Sequence, residues 1–430
     1  MTNSTGDRAR PGEFFPLALV WRILALNLFF LQIAGASGGF VKTSPMSSVR
    51  FGHSATLLAD GRVLVAGGCN NQPNIWGDNK TVIASAEMFN SSNGTWSAAS
   101  PMNSGRIFHT ATLLTDGRVL VTGGCGVLTN DDAGLNVTFD STELYDPSSG
   151  TWSKTGTMHD ARFYHTATLL QDGNVLVVGG CEINDFDPSL LVFYTPPMAG
   201  LFQRMTELYN PASGMWADMG ALETGRVFHT ATLLKNGKVL VAGGSGNMVL
   251  SFGSAFSSVE LYDPASGKWT PTGNMIAARE GHTATLLPDG RVLVAGGMAY
   301  TTNLLSSCEL YDPVTGKWVP TGALKTARMG HTATLLSDGK VLVAGGVKSH
   351  VLDPASSAEL YDPATGKWSA TNGLKTGRLM QTATLLPDGR VLIAGGASYM
   401  IGAADSSSYF IDVTSLSKAE LFDPSIGRAR

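Results

Sequence analysis

Charge is scarce in this sequence. Aspartate, glutamate, lysine and arginine make up 15% of the residues, against about a quarter in an ordinary globular domain. No block of like charges occurs anywhere along the chain. The formal net charge is −4, whereas a protein built to grip a phosphate backbone is basic, so nucleic acid is not expected as a partner. Cysteine is equally sparse, with four in 430 residues, too few for a fold stapled by disulfides. Nucleophile–base constellations and phosphate-cradling glycine loops are missing too, so no catalytic residue is assigned.

Glycine, by contrast, is abundant at 51 residues, with 19 prolines and 43% hydrophobic residues. Many glycines and few charges suit many short strands joined by tight turns around a large core. One phrase returns seven times, beginning HSATLLADGRVLVAGG at His53 and HTATLLTDGRVLVTGG at His109. It recurs from His165, His229, His282 and His331, and in the last copy from Gln381. An arginine stands three residues earlier each time: Arg50, Arg106, Arg162, Arg226, Arg279, Arg328 and Arg378.

Each unit predicts four strands. Thr-Ala-Thr-Leu-Leu is the first and Val-Leu-Val the second, and the Asp-Gly between them predicts a two-residue hairpin with both turn residues at positive φ. Gly-Gly ends the second strand, where backbone can approach backbone closely. Glu-Leu-Tyr, as at Glu143–Tyr145, is the third strand, and Asp-Pro-x-x-Gly turns the chain after it. The fourth strand begins at a tryptophan ten residues before the next arginine, as at Trp96, Trp152 and Trp216. The first two strands are apolar on both faces, which requires each small sheet to lie between two others. A ring of radially packed sheets satisfies that. The seventh unit lacks its tryptophan strand, and the stretch from Phe40, ten residues before Arg50, matches the missing piece. The expected fold is therefore all-β: a seven-bladed β-propeller of four-stranded blades, closed by an N-terminal strand that completes the last blade.

The Arg-x-x-His, Gly-Gly, Glu-Leu-Tyr-Asp-Pro and spaced tryptophan motifs resemble the kelch repeat, in the form found in the galactose oxidase central domain and in bacterial kelch proteins. The likeness covers about residues 40–430. It implies that the first strand of each blade is innermost. It also implies that the loops after Gly-Gly and those leading into the first strand share the ligand face, opposite the Asp-Gly and Asp-Pro-x-x-Gly turns. The ligand-binding residues expected there are Arg106, Arg162, Tyr164, His165 and Arg226. Phe193 and Tyr194 join them from the long apolar-rich segment between Gly180 and Glu207. A protein or carbohydrate ligand is expected, on a monomeric, non-catalytic scaffold without cofactor or metal.

Competing readings attach to each motif. The repeat arginines could recognise carboxylates or pair with the repeat glutamates in each blade. The six histidines could form a metal ring or bond the backbone of their own blades. Cys69, Cys125 and Cys181, each after a Gly-Gly, could be buried thiols or metal ligands. Phe163-Tyr164-His165 resembles the Tyr-His pair that holds copper in galactose oxidase-like radical oxidases, which makes a copper oxidase or another propeller enzyme the alternative function. That family also uses a second histidine from a further C-terminal domain and a tyrosine crosslinked to cysteine, and neither is expected here.

Residues 1–36 stand apart from the propeller, which is expected over residues 37–430. Arg8, Arg10 and Arg22 precede an apolar run from Ile23 to Ile33, followed by Ala34-Gly35-Ala36. Such a run fits a signal peptide and is short for a membrane span. A secreted, periplasmic or cell-surface location is expected, with membrane attachment only if this segment stays uncleaved.

Overall fold

The computed structural model describes residues 38–70, 82–127, 136–182, 201–246, 255–299, 303–349, 353–405 and 408–426. The N-terminal segment, Phe193 and Tyr194 lie outside the described residues. Among the described residues there is no helix, and seven four-stranded antiparallel sheets form the blades of a β-propeller. Blade 1 runs through Ser54–Leu57, Arg62–Ala66, Ala86–Asn90 and Thr95–Ala99. Blades 2 to 6 repeat that order, opening at Thr110, Thr166, Thr230, Thr283 and Thr332. Blade 7 takes Thr382–Leu385, Val391–Ala394 and Ala419–Asp423 from the end of the chain and Gly39–Lys42 from its beginning. Phe40 sits opposite Phe422 in that pairing, their rings 5.2 Å apart. This replaces the Tyr–Trp contact of blades such as blade 2, where Tyr145 and Trp152 lie at 5.0 Å. The closure expected from the displaced tryptophan strand is thus present.

The hairpin between the first two strands differs from the expectation. In blade 1 only Gly61 has positive φ, +85°, while Asp60 does not. Gly61 N–H donates to Leu58 O at 3.0 Å and Leu58 N–H to Arg62 O at 2.8 Å. This is a type I turn closed by a left-handed glycine, one residue longer than a two-residue loop. The Asp60 carboxylate accepts from Arg62 N–H at 3.0 Å, which lets aspartate stay in its ordinary backbone region.

The core lies between blades. Second-strand residues such as Val63, Val65, Val175 and Val177 are fully enclosed. Val175, Val177, Tyr209 and Trp216 of blade 3 pack on Leu114, Leu120 and Leu144 of blade 2. Each such side chain contributes roughly 1.5–3 kcal/mol by leaving water, more than any one turn hydrogen bond, so packing between blades dominates stability. Tryptophans staple the outer edges: Trp152 Nε1 donates to Ser100 O of the preceding unit at 2.7 Å, and Trp318 Nε1 to Gly273 O at 2.7 Å.

Gly-Gly is explained by the inner edge. The N–H of its second glycine donates to the carbonyl of the next blade's arginine, from Gly68 to Arg106 at 2.8 Å, and so on to Gly396, which reaches Arg50 at 2.9 Å and closes the ring. A Cβ on Gly67 would stand 2.6 Å from Arg106 O, and one on Gly68 2.7 Å from Phe51 O. Only glycine lets the chains approach this closely, and both also have positive φ.

Candidate functional site

Three concentric features occupy the face where the Gly-Gly loops emerge, and two of them are sealed. The outer one is the arginine ring. All seven repeat arginines are buried at about zero exposure, and each guanidinium meets the third-strand glutamate of its own blade. Arg106 Nη2 lies 2.7 Å from Glu143 Oε1, while its Nη1 donates to Gly123 O at 2.8 Å and Ser141 O at 3.1 Å. Burial disfavours the cation, and the glutamate opposes that loss. The second oxygen of Glu143 accepts from Asn103 N–H at 2.7 Å, tying down the loop that leads into the blade. Phe139 covers the Arg106 guanidinium at 5.0 Å and Phe256 covers Arg226 at 5.5 Å. Arg106, Arg162 and Arg226 are therefore structural ion-pair partners, with little surface left for a ligand.

The histidine ring is the second sealed feature. Each Nε2 meets a side-chain hydroxyl of the preceding blade, and His109, His165, His229 and His282 also interact with the backbone of their own blade's arginine, as expected. His109 reaches Ser54 at 2.9 Å, His229 reaches Thr166 at 3.0 Å and His331 reaches Thr283 at 2.9 Å. His53 reaches Thr382 at 3.1 Å across the closure. In blade 7 Gln381 Nε2 instead donates to Ala344 O at 3.0 Å. Burial drives His109, His229 and His331 down to about 3, so they stay neutral. These histidines staple neighbouring blades.

The third feature surrounds the centre. The residue before each histidine, or before Gln381 in blade 7, is left-handed: Gly52 (+61°), Phe108 (+56°), Tyr164 (+54°), Phe228 (+54°), Gly281 (+61°), Gly330 (+60°) and Met380 (+52°). Neighbours on this ring are joined by backbone, with Phe108 N–H donating to Gly52 O at 3.0 Å and Gly330 N–H to Gly281 O at 2.9 Å. Non-glycine residues pay strain in this region. Three of the four that do so are aromatic and half-buried, and they stack: Phe108 on Tyr164 at 4.4 Å and Tyr164 on Phe228 at 4.5 Å between centroids. Beneath them lies an apolar plug that includes Phe51, Ile107, Phe163, Val227, Leu379, Cys69, Cys125 and Cys181. Burial raises the Cys125 and Cys181 thiols well above their ordinary range, and neither is in a disulfide, which favours inert buried thiols over metal ligands or nucleophiles.

Of the residues expected on the ligand face, Tyr164 remains half-exposed. His165 is buried, its Nε2 between Thr110 Oγ1 at 3.0 Å and Thr122 Oγ1 at 3.1 Å. That nitrogen faces the two hydroxyls, and the Tyr164 ring is held between two phenylalanines. Among the described residues, the cluster of three potential metal ligands is elsewhere, at His159, Glu207 and Asp218. Glu207 there is already committed to Arg162 at 2.5 Å. Sequence reasoning missed Glu280. It stands where the other six blades have Phe51, Ile107, Phe163, Val227, Met329 and Leu379, and lining up the repeats would have exposed it.

Comparison with known proteins agrees with this architecture. A family model described as "Kelch motif" matches residues 50–103, 108–159, 227–276, 282–324 and 328–374, more than half of the chain. Kelch-like protein 15 of Homo sapiens is 29% identical over 165 residues, which are 38% of this chain and 27% of that protein. Kelch-like protein 23 of Homo sapiens is 25% identical over 235 residues, covering 48% of this chain and 39% of that protein. The matches thus span well under half the length of these relatives. Among solved structures, a fungal alcohol oxidase of the AA5 family in complex with copper superposes with TM-score 0.68 at 21% identity, over 92% of this chain and 79% of its own. The structure of YjhT superposes with TM-score 0.58 at 16% identity, over 77% of this chain and 99% of its own. At such identities these structures share the fold alone.

Proposed function

This chain belongs to the kelch-motif family, and we propose that it is an exported, non-catalytic scaffold that binds a protein partner on the face where the Gly-Gly loops emerge. The observation that carries this reading is the stack of Phe108, Tyr164 and Phe228 at left-handed backbone positions. Half-exposed aromatic rings supply contact area at low entropy cost, as binding hot spots do. The groups best suited to chemistry, the arginines and histidines, are consumed by bonds within and between blades. Kelch-like relatives make a protein the first ligand class to test, with carbohydrate stacking on the same rings as the second. Export rests on the charged-then-apolar pattern of residues 1–36.

The test compares wild type with Tyr164→Gly, a residue that three blades already carry at this position. Cross-linking capture from the native exported fraction should recover a protein with wild type and lose most of it with the variant, at unchanged melting temperature. Undiminished capture by the variant would place the partner elsewhere. N-terminal sequencing of the exported chain should begin near residue 37, and retention in the cytoplasm would refute export.

A further inference from the structure

Among the described residues, buried carboxylates follow a rule with one departure. Glu87, Glu143, Glu207, Glu260, Glu309, Glu359 and Glu420 are each buried against an arginine. Glu280 is buried as deeply, at 6% exposure, and among the described residues it has no cation. Its side chain shares a hydrogen bond with Ser245, and its Oε2 has no hydrogen-bond partner. Ser245 is a second departure in the same place. It is the hydroxyl in a ring otherwise made of Cys69, Cys125, Cys181, Met298, Val347 and Ala397. Both replace apolar plug residues, and they meet between blades 4 and 5.

Oε2 itself is closed to solvent, but the residue after Glu280 is half-exposed. Phe228, half-buried, accepts a backbone bond from Gly281 N–H at 3.0 Å, so the last aromatic of the stack adjoins the residue after Glu280. On the other side Gly330 is exposed, and a Cβ there would meet nothing within 4 Å among the described residues. A carboxylate in apolar surroundings without a counter-charge is costly, and burial pushes this one up to about 7. A scaffold selected for stability alone would keep the apolar residue that six blades have. A cation that reaches this oxygen gains from the same low polarity. Guanidinium fits better than ammonium, because it is weakly hydrated, lies flat on aromatic rings and bonds carboxylate through two donors.

We propose that the centre of the ring between blades 4 and 5 receives an arginine side chain of a protein partner, with Glu280 and Ser245 as acceptors and Phe228 as the stacking face. This rests on the protein-binding function proposed above and names the partner's chemistry.

N-acetyl-arginine methylamide is the probe, titrated into the full chain carrying 13C-labelled glutamate side chains. The Glu280 carboxyl signal should shift saturably. The citrulline analogue, equal in shape but uncharged, should leave it unmoved. Glu280→Gln should weaken binding at least about tenfold. Glu280→Leu, which restores the residue of blade 7, should abolish binding while raising the melting temperature, since it removes an unpaired buried carboxyl. Equal binding of the citrulline analogue, full affinity in Glu280→Gln, or a lower melting temperature in Glu280→Leu would each overturn the proposal. If the arginine probe fails while Tyr164→Gly still loses its captured partner, this inference falls and the protein-binding function stands.

Discussion

Blades 2 to 4 place Phe108, Tyr164 and Phe228 where blades 5, 6 and 1 place Gly281, Gly330 and Gly52, on a backbone that hardly differs between the two sectors. Glycine occupies the left-handed region without penalty, while each aromatic there costs ~1–2 kcal/mol. Ring stacking returns about 0.5–1.5 kcal/mol per pair, and partial burial returns more. The two sums are comparable, so stability alone does not decide between the sectors. What the aromatic sector gains is a surface; of the three glycines opposite, Gly330 leaves open space, whereas a Cβ on Gly52 would stand 2.6 Å from Ile107. Beneath both, the arginine and histidine rings are the same, which separates a uniform scaffold from a varied centre.

The largest effect that tests this separation is acid unfolding. His109 and His331 sit at about 3 when folded, one in each sector, against an ordinary 6.5 when unfolded. Between those values the unfolded chain binds more protons, so stability is full above 6.5 and falls as pH drops. The slope approaches ~1.4 kcal/mol per pH unit for each such histidine. Melting temperature should decline steeply below about pH 6. His109→Gln and His331→Gln, which reproduce the glutamine that blade 7 carries at Gln381, should each flatten that decline equally. A flattening in one sector alone breaks the uniformity of the scaffold.

A smaller effect sharpens it. Arg162→Met and Arg328→Met leave Glu207 and Glu359 buried without a counter-charge, held only by backbone N–H donors, at a cost of ~3–5 kcal/mol each. Denaturant midpoints should fall alike in the two variants. Adding Glu207→Leu to Arg162→Met should recover most of the loss. Costs that differ by more than about 1 kcal/mol beyond what the extra Asp160 contact of Arg162 supplies would break the equivalence of the two sectors.

Much of this scaffold is legible in the amino-acid sequence. Seven copies of one phrase define the strands and their order, and the displaced tryptophan strand reveals the closure through Phe40. Partners within one repeat are legible as well, since arginine and glutamate recur together in every unit. Relations between repeats are not. A histidine in every copy says nothing about which blade it touches, and its bond to the previous blade's hydroxyl needs the ring's geometry. The Asp-Gly dipeptide suits two hairpin types, and only the register of Leu58 with Arg62 separates them. Glu280 is hidden by the averaging that makes a repeat visible: its position is one of the two variable ones in Arg-x-x-His.

The central claim is that the scaffold is shared and binding belongs to the aromatic sector. Oxidative footprinting of the captured complex tests it most directly. Phe108, Tyr164 and Phe228 should lose labelling when the partner binds. Met215, at 67% exposure, follows a third-strand turn and Val314, at 91%, lies within one, and both should label unchanged. Protection of Met215 and Val314 with full labelling of the three aromatics would contradict the account.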